Sequence, residues 1–169
     1  MKKNIVLVGF MGTGKTTVAQ LLAQKTGMPL VDMDSLIEQR AGKPITEIFA
    51  TEGEAHFRAL EHSLALELAE TSGQIISTGG GIVLNPKNTE ALGKTGLEVC
   101  LLARPETILK RLRNDQSRPL LSGNKEEQIA QLLQQRAALY EAIPHTLQTD
   151  ELTPEQIAQQ IYALYKTNT

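Results

Sequence analysis

Short apolar runs alternate with longer stretches of helical periodicity along this chain. Asn4 to Val8, Leu30 to Val31, Gln74 to Ser77, Leu97 to Leu102 and Thr146 to Gln148 read as strands. The first, third and fourth are continuous enough to be buried on both faces, as strands of a parallel sheet are. Between them, helical patterns run from about Lys15 to Lys25, Ser35 to Ala41, Glu54 to Glu70, Pro86 to Gly93, Pro105 to Arg113, Lys125 to Glu141 and Pro154 to Tyr165. Thr153 followed by Pro154 is a cap residue with proline at the first helical position. The alternation predicts an α/β fold: five parallel strands joined by right-handed crossovers, helices on both faces, and ligands at the carboxyl ends of the strands.

Composition narrows this picture. At 169 residues, with no repeat and no Gly-, Ser- or Pro-rich linker, the chain reads as one domain, 1–169. Seventeen Lys and Arg against 19 Asp and Glu give a net charge of −2, without the basic excess that nucleic acid demands. Cys100 is the only cysteine, which removes disulfide scaffolds and zinc sites built on paired thiolates. Lys2 and Lys3 before an apolar run imitate a leader, but the run ends at Lys15 with no small-residue cleavage site. No apolar stretch reaches the ~18 residues of a membrane span. A cytoplasmic monomer is the expectation. Aromatics make up 4% of the chain and tryptophan is absent, so ligand recognition must be mostly polar.

The strongest chemical signal follows the first strand. Gly9-Phe10-Met11-Gly12-Thr13-Gly14-Lys15-Thr16-Thr17 satisfies G-x-x-x-x-G-K-[ST] and opens a helix. Glycines let backbone N–H groups close on phosphate oxygens, the helix N-terminus adds positive potential, Lys15 reaches the β and γ phosphates, and Thr16 ligates Mg²⁺. A small-molecule or nucleotide kinase, a GTPase switch and an ATPase motor all carry such a loop. The switch needs N-K-x-D at a strand end. Asn124-Lys125-Glu126-Glu127 instead opens a helix and has Glu in the Asp position. Motors and switches are also usually larger, so a small kinase leads.

Acceptor-side candidates are less distinctive one by one. Asp32 and Asp34 follow the second strand, where an open sheet binds ligands. Asp32 is the candidate to hold water on Mg²⁺. Asp34 is either the acceptor of a hydroxyl proton or the N-cap of a helix starting at Ser35. Arg58 has Glu54 at i−4 and Glu61 at i+3, enough to hold it by salt bridges alone. Phe49 and Phe57 read as core first and pocket lining second. Gly79, Gly80 and Gly81 after the third strand allow close backbone approach to a ligand, or a tight turn. No acidic residue ends that strand; Ser77 stands there instead. Arg118, in a polar segment between two helices that reads as a mobile loop, and Arg136 are ordinary surface arginines when taken singly. His56, His62 and His145 show no metal-binding spacing.

Taken together and in order, GFMGTGKTT, VDMD, GEAHFRALE, STGGG and RPLL resemble the shikimate kinase family over nearly the whole chain. The resemblance implies a P-loop kinase of the nucleoside monophosphate kinase type: a five-stranded parallel sheet flanked by helices, a substrate-binding region at about 34–60 and a mobile lid at about 112–124. It implies transfer of the γ-phosphoryl group of ATP, with Mg²⁺, to the 3-hydroxyl of shikimate. Arg58 and Arg136 would clamp the shikimate carboxylate, with Glu61 orienting Arg58. Asp34 would bind the hydroxyls and act as base, and the backbone at Gly79 to Gly81 would close the site. Arg118 would come over the phosphates from the lid. Arg111, with Arg113 as the alternative, would pack on adenine opposite the loop Asp150 to Pro154. A kinase for gluconate or a nucleoside monophosphate remains the rival within the class, and a nucleotide-dependent switch the rival outside it.

Overall fold

The computed structural model describes residues 2–113 and 125–168. Its sheet has five strands, β1 (Asn4–Gly9), β2 (Leu30–Asp32), β3 (Ile75–Ser77), β4 (Gly96–Leu102) and β5 (His145–Gln148), all paired in parallel in the order β2-β3-β1-β4-β5. Eight α-helices accompany them among the described residues: α1 (Lys15–Thr26), α2 (Met33–Ala41), α3 (Ile45–Glu52), α4 (Glu54–Ala69), α5 (Pro86–Thr95), α6 (Pro105–Arg113), α7 (Lys125–Glu141) and α8 (Pro154–Thr167). No helix among the described residues is long and apolar enough to cross a membrane.

The period of two along β1 divides the core. Ile5 and Leu7 pack with Val18 and Leu22 of α1 and with Ile157 and Ile161 of α8. Val6 and Val8 face the opposite layer, with Leu64 of α4, Leu92 of α5 and Ile108 of α6. Both layers are fully buried along β1, β3 and most of β4, as the apolar runs predict. Because β1 is central, the chain leaves it toward β2 and β3 on one side and later returns to β4 and β5 on the other. The loop after β1 therefore opens where strand order reverses, the usual place for a ligand in an open sheet.

The limits of the expected elements differ from the observed ones by at most two residues. One helix escapes the sequence pattern. α3 is eight residues long, starts after Pro44 and ends at Gly53, too short to show periodicity; the Glu38 carboxylate fixes its start by accepting the Ile45 N–H at 2.9 Å. At α2 the cap is Asp32 and not Asp34: Asp32 Oδ1 accepts the Ser35 N–H at 3.0 Å, so the helix begins at Met33 and Asp34 lies in its first turn.

The buried run of β4 also hides a carboxyl. Glu98 is buried, and its Oε2 has no hydrogen-bond partner among the described residues. Burial pushes its pKa up to about 7. The folded chain thus holds this proton more tightly than the unfolded chain, and the associated stability is complete below the ordinary carboxyl range and lost as pH rises through 7. Glu98→Gln should accordingly melt about 4 °C above the parent at pH 8, with the gap closing by pH 5 in calorimetric scans. A gap independent of pH would contradict the assignment. Cys100, wholly buried among the core side chains, has its thiol pushed up to about 12 by burial, against a small opposing pull from Lys15.

Candidate active site

A cleft of about 880 Å³ opens over the carboxyl ends of β1, β2 and β3. The P-loop forms one wall. Gly14, at φ +94°, caps α1, whose first turn carries no acidic side chain to offset its positive end. The Lys15 ammonium bridges the loop to the carbonyls of Gly9 and Phe10, the latter at 3.3 Å. Gly12, Lys15, Thr16 and Thr17 line the cleft. Thr13 does not. It is buried, and both its hydroxyl (2.7 Å) and its N–H (3.3 Å) donate to the Phe10 carbonyl, so it braces the loop from inside.

The facing wall brings together residues that are far apart in sequence. Asp34 projects from α2 against Gly79, where a Cβ would stand 2.7 Å from its Oδ1. Arg58 of α4 lies over Gly81, where a Cβ would come within 2.6 Å of Nη2. Only glycine at these two positions admits both charged groups so near the backbone. Arg58 Nη1 donates to Glu61 Oε1 at 3.0 Å, and Glu61 is buried. Burial raises the Glu61 pKa and the Arg58 charge opposes that rise. No ion pair to Glu54 accompanies it among the described residues, so only the i+3 partner is used. Phe57 and Phe49 pack edge to face at 5.0 Å, with the Arg58 guanidinium 5.2 Å from the Phe57 ring; both rings are core that also lines the cleft. Arg136 enters from α7, 5.9 Å from the Phe10 ring and beside Gly80.

Beside the P-loop, Arg111 lines the cleft and donates to the Gly12 carbonyl at 2.9 Å, whereas Arg113 is exposed and bonded to Glu126. Pro154 does not line the cleft: it is the first residue of α8, behind the Thr153–Gln156 capping box. The turn before it is held by Asp150. Burial works against ionisation of that carboxyl, but hydrogen bonds from Thr107, Gln148 and the Arg104 N–H, together with the Arg104 charge, keep its pKa well below the usual range. Arg118 and most of the expected lid lie outside the described residues.

The cleft is not simply basic. Lys15, Arg58, Arg111 and Arg136 share it with Asp32, Asp34, Glu38, Glu54 and Glu61. Among these acids, Asp32 is held by Ser35, Glu38 by Ile45 and Glu61 by Arg58. Glu38 and Glu54 carry no sequence signal that separates them from surface acids. Tyr140, whose hydroxyl reaches the Gly80 carbonyl, is also missed; its place one helical turn beyond Arg136 is the available clue.

Thr16 and Asp32 each offer a hard oxygen donor toward the cleft, and Asp32 keeps Oδ2 outside its capping bond. This set suits Mg²⁺, which retains most of its water and takes few protein ligands beside substrate phosphates.

A parallel sheet with a phosphate cradle on its central strand, and a carboxylate and two guanidinium groups across the same cleft, places the chain among the P-loop kinases of small molecules. The family model for shikimate kinase matches residues 11–166, and the chain belongs to that family. It is an ATP-dependent kinase. It is 45% identical to shikimate kinase of Thermodesulfovibrio yellowstonii over 97% of this chain and 95% of that one. It superposes with a TM-score of 0.92 on shikimate kinase from Acinetobacter baumannii in complex with shikimate, at 37% identity over 100% of this chain and 96% of the other. A gluconokinase from Sinorhizobium meliloti, 15% identical with a TM-score of 0.64 over 98% of this chain and 93% of its own, shares the fold alone.

Proposed function

We propose that this chain transfers the γ-phosphoryl group of ATP to the 3-hydroxyl of shikimate, giving shikimate 3-phosphate and ADP on the route to the aromatic amino acids. The observation that carries the reading is the convergence of Lys15, Asp34, Arg58 and Arg136 on one cleft.

The P-loop amides, the α1 N-terminus and Lys15 hold the β and γ phosphates, and Thr16 with Asp32 would hold Mg²⁺, the latter through water. Mg²⁺, when bound with ATP, neutralises charge on the phosphates. Asp34 orients the acceptor hydroxyl and takes its proton as the hydroxyl oxygen bonds to the γ-phosphorus. The bond from that phosphorus to the β–γ bridging oxygen breaks, and its electron pair leaves with ADP. Arg58 and Arg136 grip the shikimate carboxylate, a task suited to planar forked donors. Gly79 to Gly81 form the floor between these groups. Arg111 covers one face of adenine and the Asp150 to Pro154 turn the other. Arg118, which lies outside the described residues, would stabilise charge on the transferring phosphoryl group, and residues 34–60 form the acceptor region. The enzyme works as a monomer in the cytoplasm.

ADP release measured across shikimate, gluconate, nucleoside monophosphates and no acceptor tests the reading. Shikimate should raise turnover at least about a hundredfold above the acceptor-free rate, since the acceptor hydroxyl is the positioned nucleophile. Silence with shikimate and turnover with gluconate or a nucleotide would overturn it. Tight GTP binding with slow hydrolysis and no acceptor would move the chain to the switches.

A further inference from the structure

α7 is a 17-residue helix that is thinly anchored. Among its described side chains only Ile129 and Tyr140 are buried, while Leu132 and Leu133 pack partly against the core. Arg136 stands one turn before Tyr140 on the same face. The Tyr140 ring is 2% exposed, and its hydroxyl donates to the Gly80 carbonyl at 2.5 Å. A Cβ at Gly80 would lie 3.7 Å from Arg136 Nη1 and 3.7 Å from the Met11 backbone nitrogen. Helix, glycine turn and P-loop therefore stand within the reach of a single added methyl group of one another, and the tyrosine hydrogen bond joins the first two.

The exit of the glycine turn is tied elsewhere. Asn88 of α5 is buried, donates to the Ile82 carbonyl at 3.2 Å and contacts His62 Nδ1 of α4 at 2.6 Å. This ties the turn to the helix that bears Arg58. Tyr140 ties it to the helix that bears Arg136. Two guanidinium groups on different helices can grip one carboxylate only if their separation is fixed, and tenths of an ångström matter for such a grip. Burial raises the Tyr140 pKa, against the opposing influence of Arg136, so the hydroxyl keeps its proton for donation at neutral pH.

We infer that Tyr140 is a positioning residue for the acceptor pocket: its hydroxyl, bonded to the Gly80 carbonyl, fixes α7 against the glycine turn and thereby sets where the Arg136 guanidinium stands. The inference rests on the reading of Arg136 as a ligand of the shikimate carboxylate. Tyr140→Phe keeps the ring and removes the hydroxyl, and with it both the bond to the Gly80 carbonyl and the bond with the Arg136 side chain. The KM for shikimate should rise about threefold to tenfold, the size expected from losing buried hydrogen bonds of this hydroxyl, with kcat and the KM for ATP within about twofold of the parent. Arg136→Ala should raise the shikimate KM further, and in that background Tyr140→Phe should add nothing, because the group it positions is gone. A melting temperature lowered by Tyr140→Phe with both KM values unchanged marks a purely structural tyrosine and overturns the proposal, as does full additivity in the double variant. If Arg136→Ala itself leaves the shikimate KM unchanged, the carboxylate reading falls and this inference with it. If Arg136→Ala raises the KM while Tyr140→Phe does not, the positioning role alone is lost.

Discussion

Asp34→Asn is expected to lower kcat by about 10²- to 10⁴-fold, the usual contribution of a positioned proton acceptor, while the Kd for ATP stays within about twofold. The amide is isosteric with the carboxylate and keeps an oxygen to accept from substrate hydroxyls, but it does not take up a proton. The Asp34 side chain projects from the first turn of α2 against Gly79, and the capping bond that starts α2 belongs to Asp32. The helix should therefore survive the substitution, and circular dichroism can verify that it does. Rates come from a coupled assay of ADP release, and ATP affinity from calorimetry. An unchanged kcat would exclude Asp34 as the base. A loss of ATP affinity equal to the loss of rate would instead place it on the nucleotide side of the cleft.

The division between Asp32 and Asp34 shows what the sequence could not resolve. Both follow the same short strand, and either could have capped the next helix. Geometry assigns the cap to Asp32 through the Ser35 N–H and leaves Asp34 in the wall that faces Gly79. The P-loop, by contrast, was legible as a motif, because it is a local structure whose backbone and side chains come from consecutive residues, although the inward brace by Thr13 was not. The sheet was legible for a related reason: strands buried on both faces leave uninterrupted apolar runs. Glu98 lay inside such a run without disturbing it, and nothing in the pattern marks it as a buried carboxyl with an oxygen unpartnered among the described residues. α3 was missed because eight residues framed by Pro44 and Gly53 leave no room for a helical period to repeat. Charge was legible only as a total. Near neutrality at the level of the chain coexists with a cleft in which four cations and five carboxylates interleave, several already engaged with neighbours, so its attraction for anions rests on which charges face the opening.

Arg58→Ala should have two effects that separate binding from folding. The first is on the acceptor: loss of a forked, charge-assisted contact should raise the KM for shikimate about 10- to 100-fold, with the KM for ATP nearly unchanged. The second arises from Glu61. That carboxyl is buried, with 2% of its side chain exposed, and Arg58 is its hydrogen-bonded counter-charge. Burial raises the Glu61 pKa and the arginine holds the rise in check, so removing the arginine raises it further. A carboxyl with a raised folded pKa contributes stability that is complete below the ordinary carboxyl range and lost as pH climbs through the folded value. The variant should therefore be close to the parent in stability at pH 4 and fall behind as pH rises toward 8, by about 3 kcal/mol, the low end for breaking a buried pair because 27% of the arginine side chain is exposed. Glu61→Gln combined with Arg58→Ala removes the stranded charge, and it should restore stability at pH 8 without restoring the shikimate KM. Recovery of both would make Arg58 a structural ion pair with no part in binding, whereas recovery of stability alone leaves the guanidinium as the group that meets the acceptor.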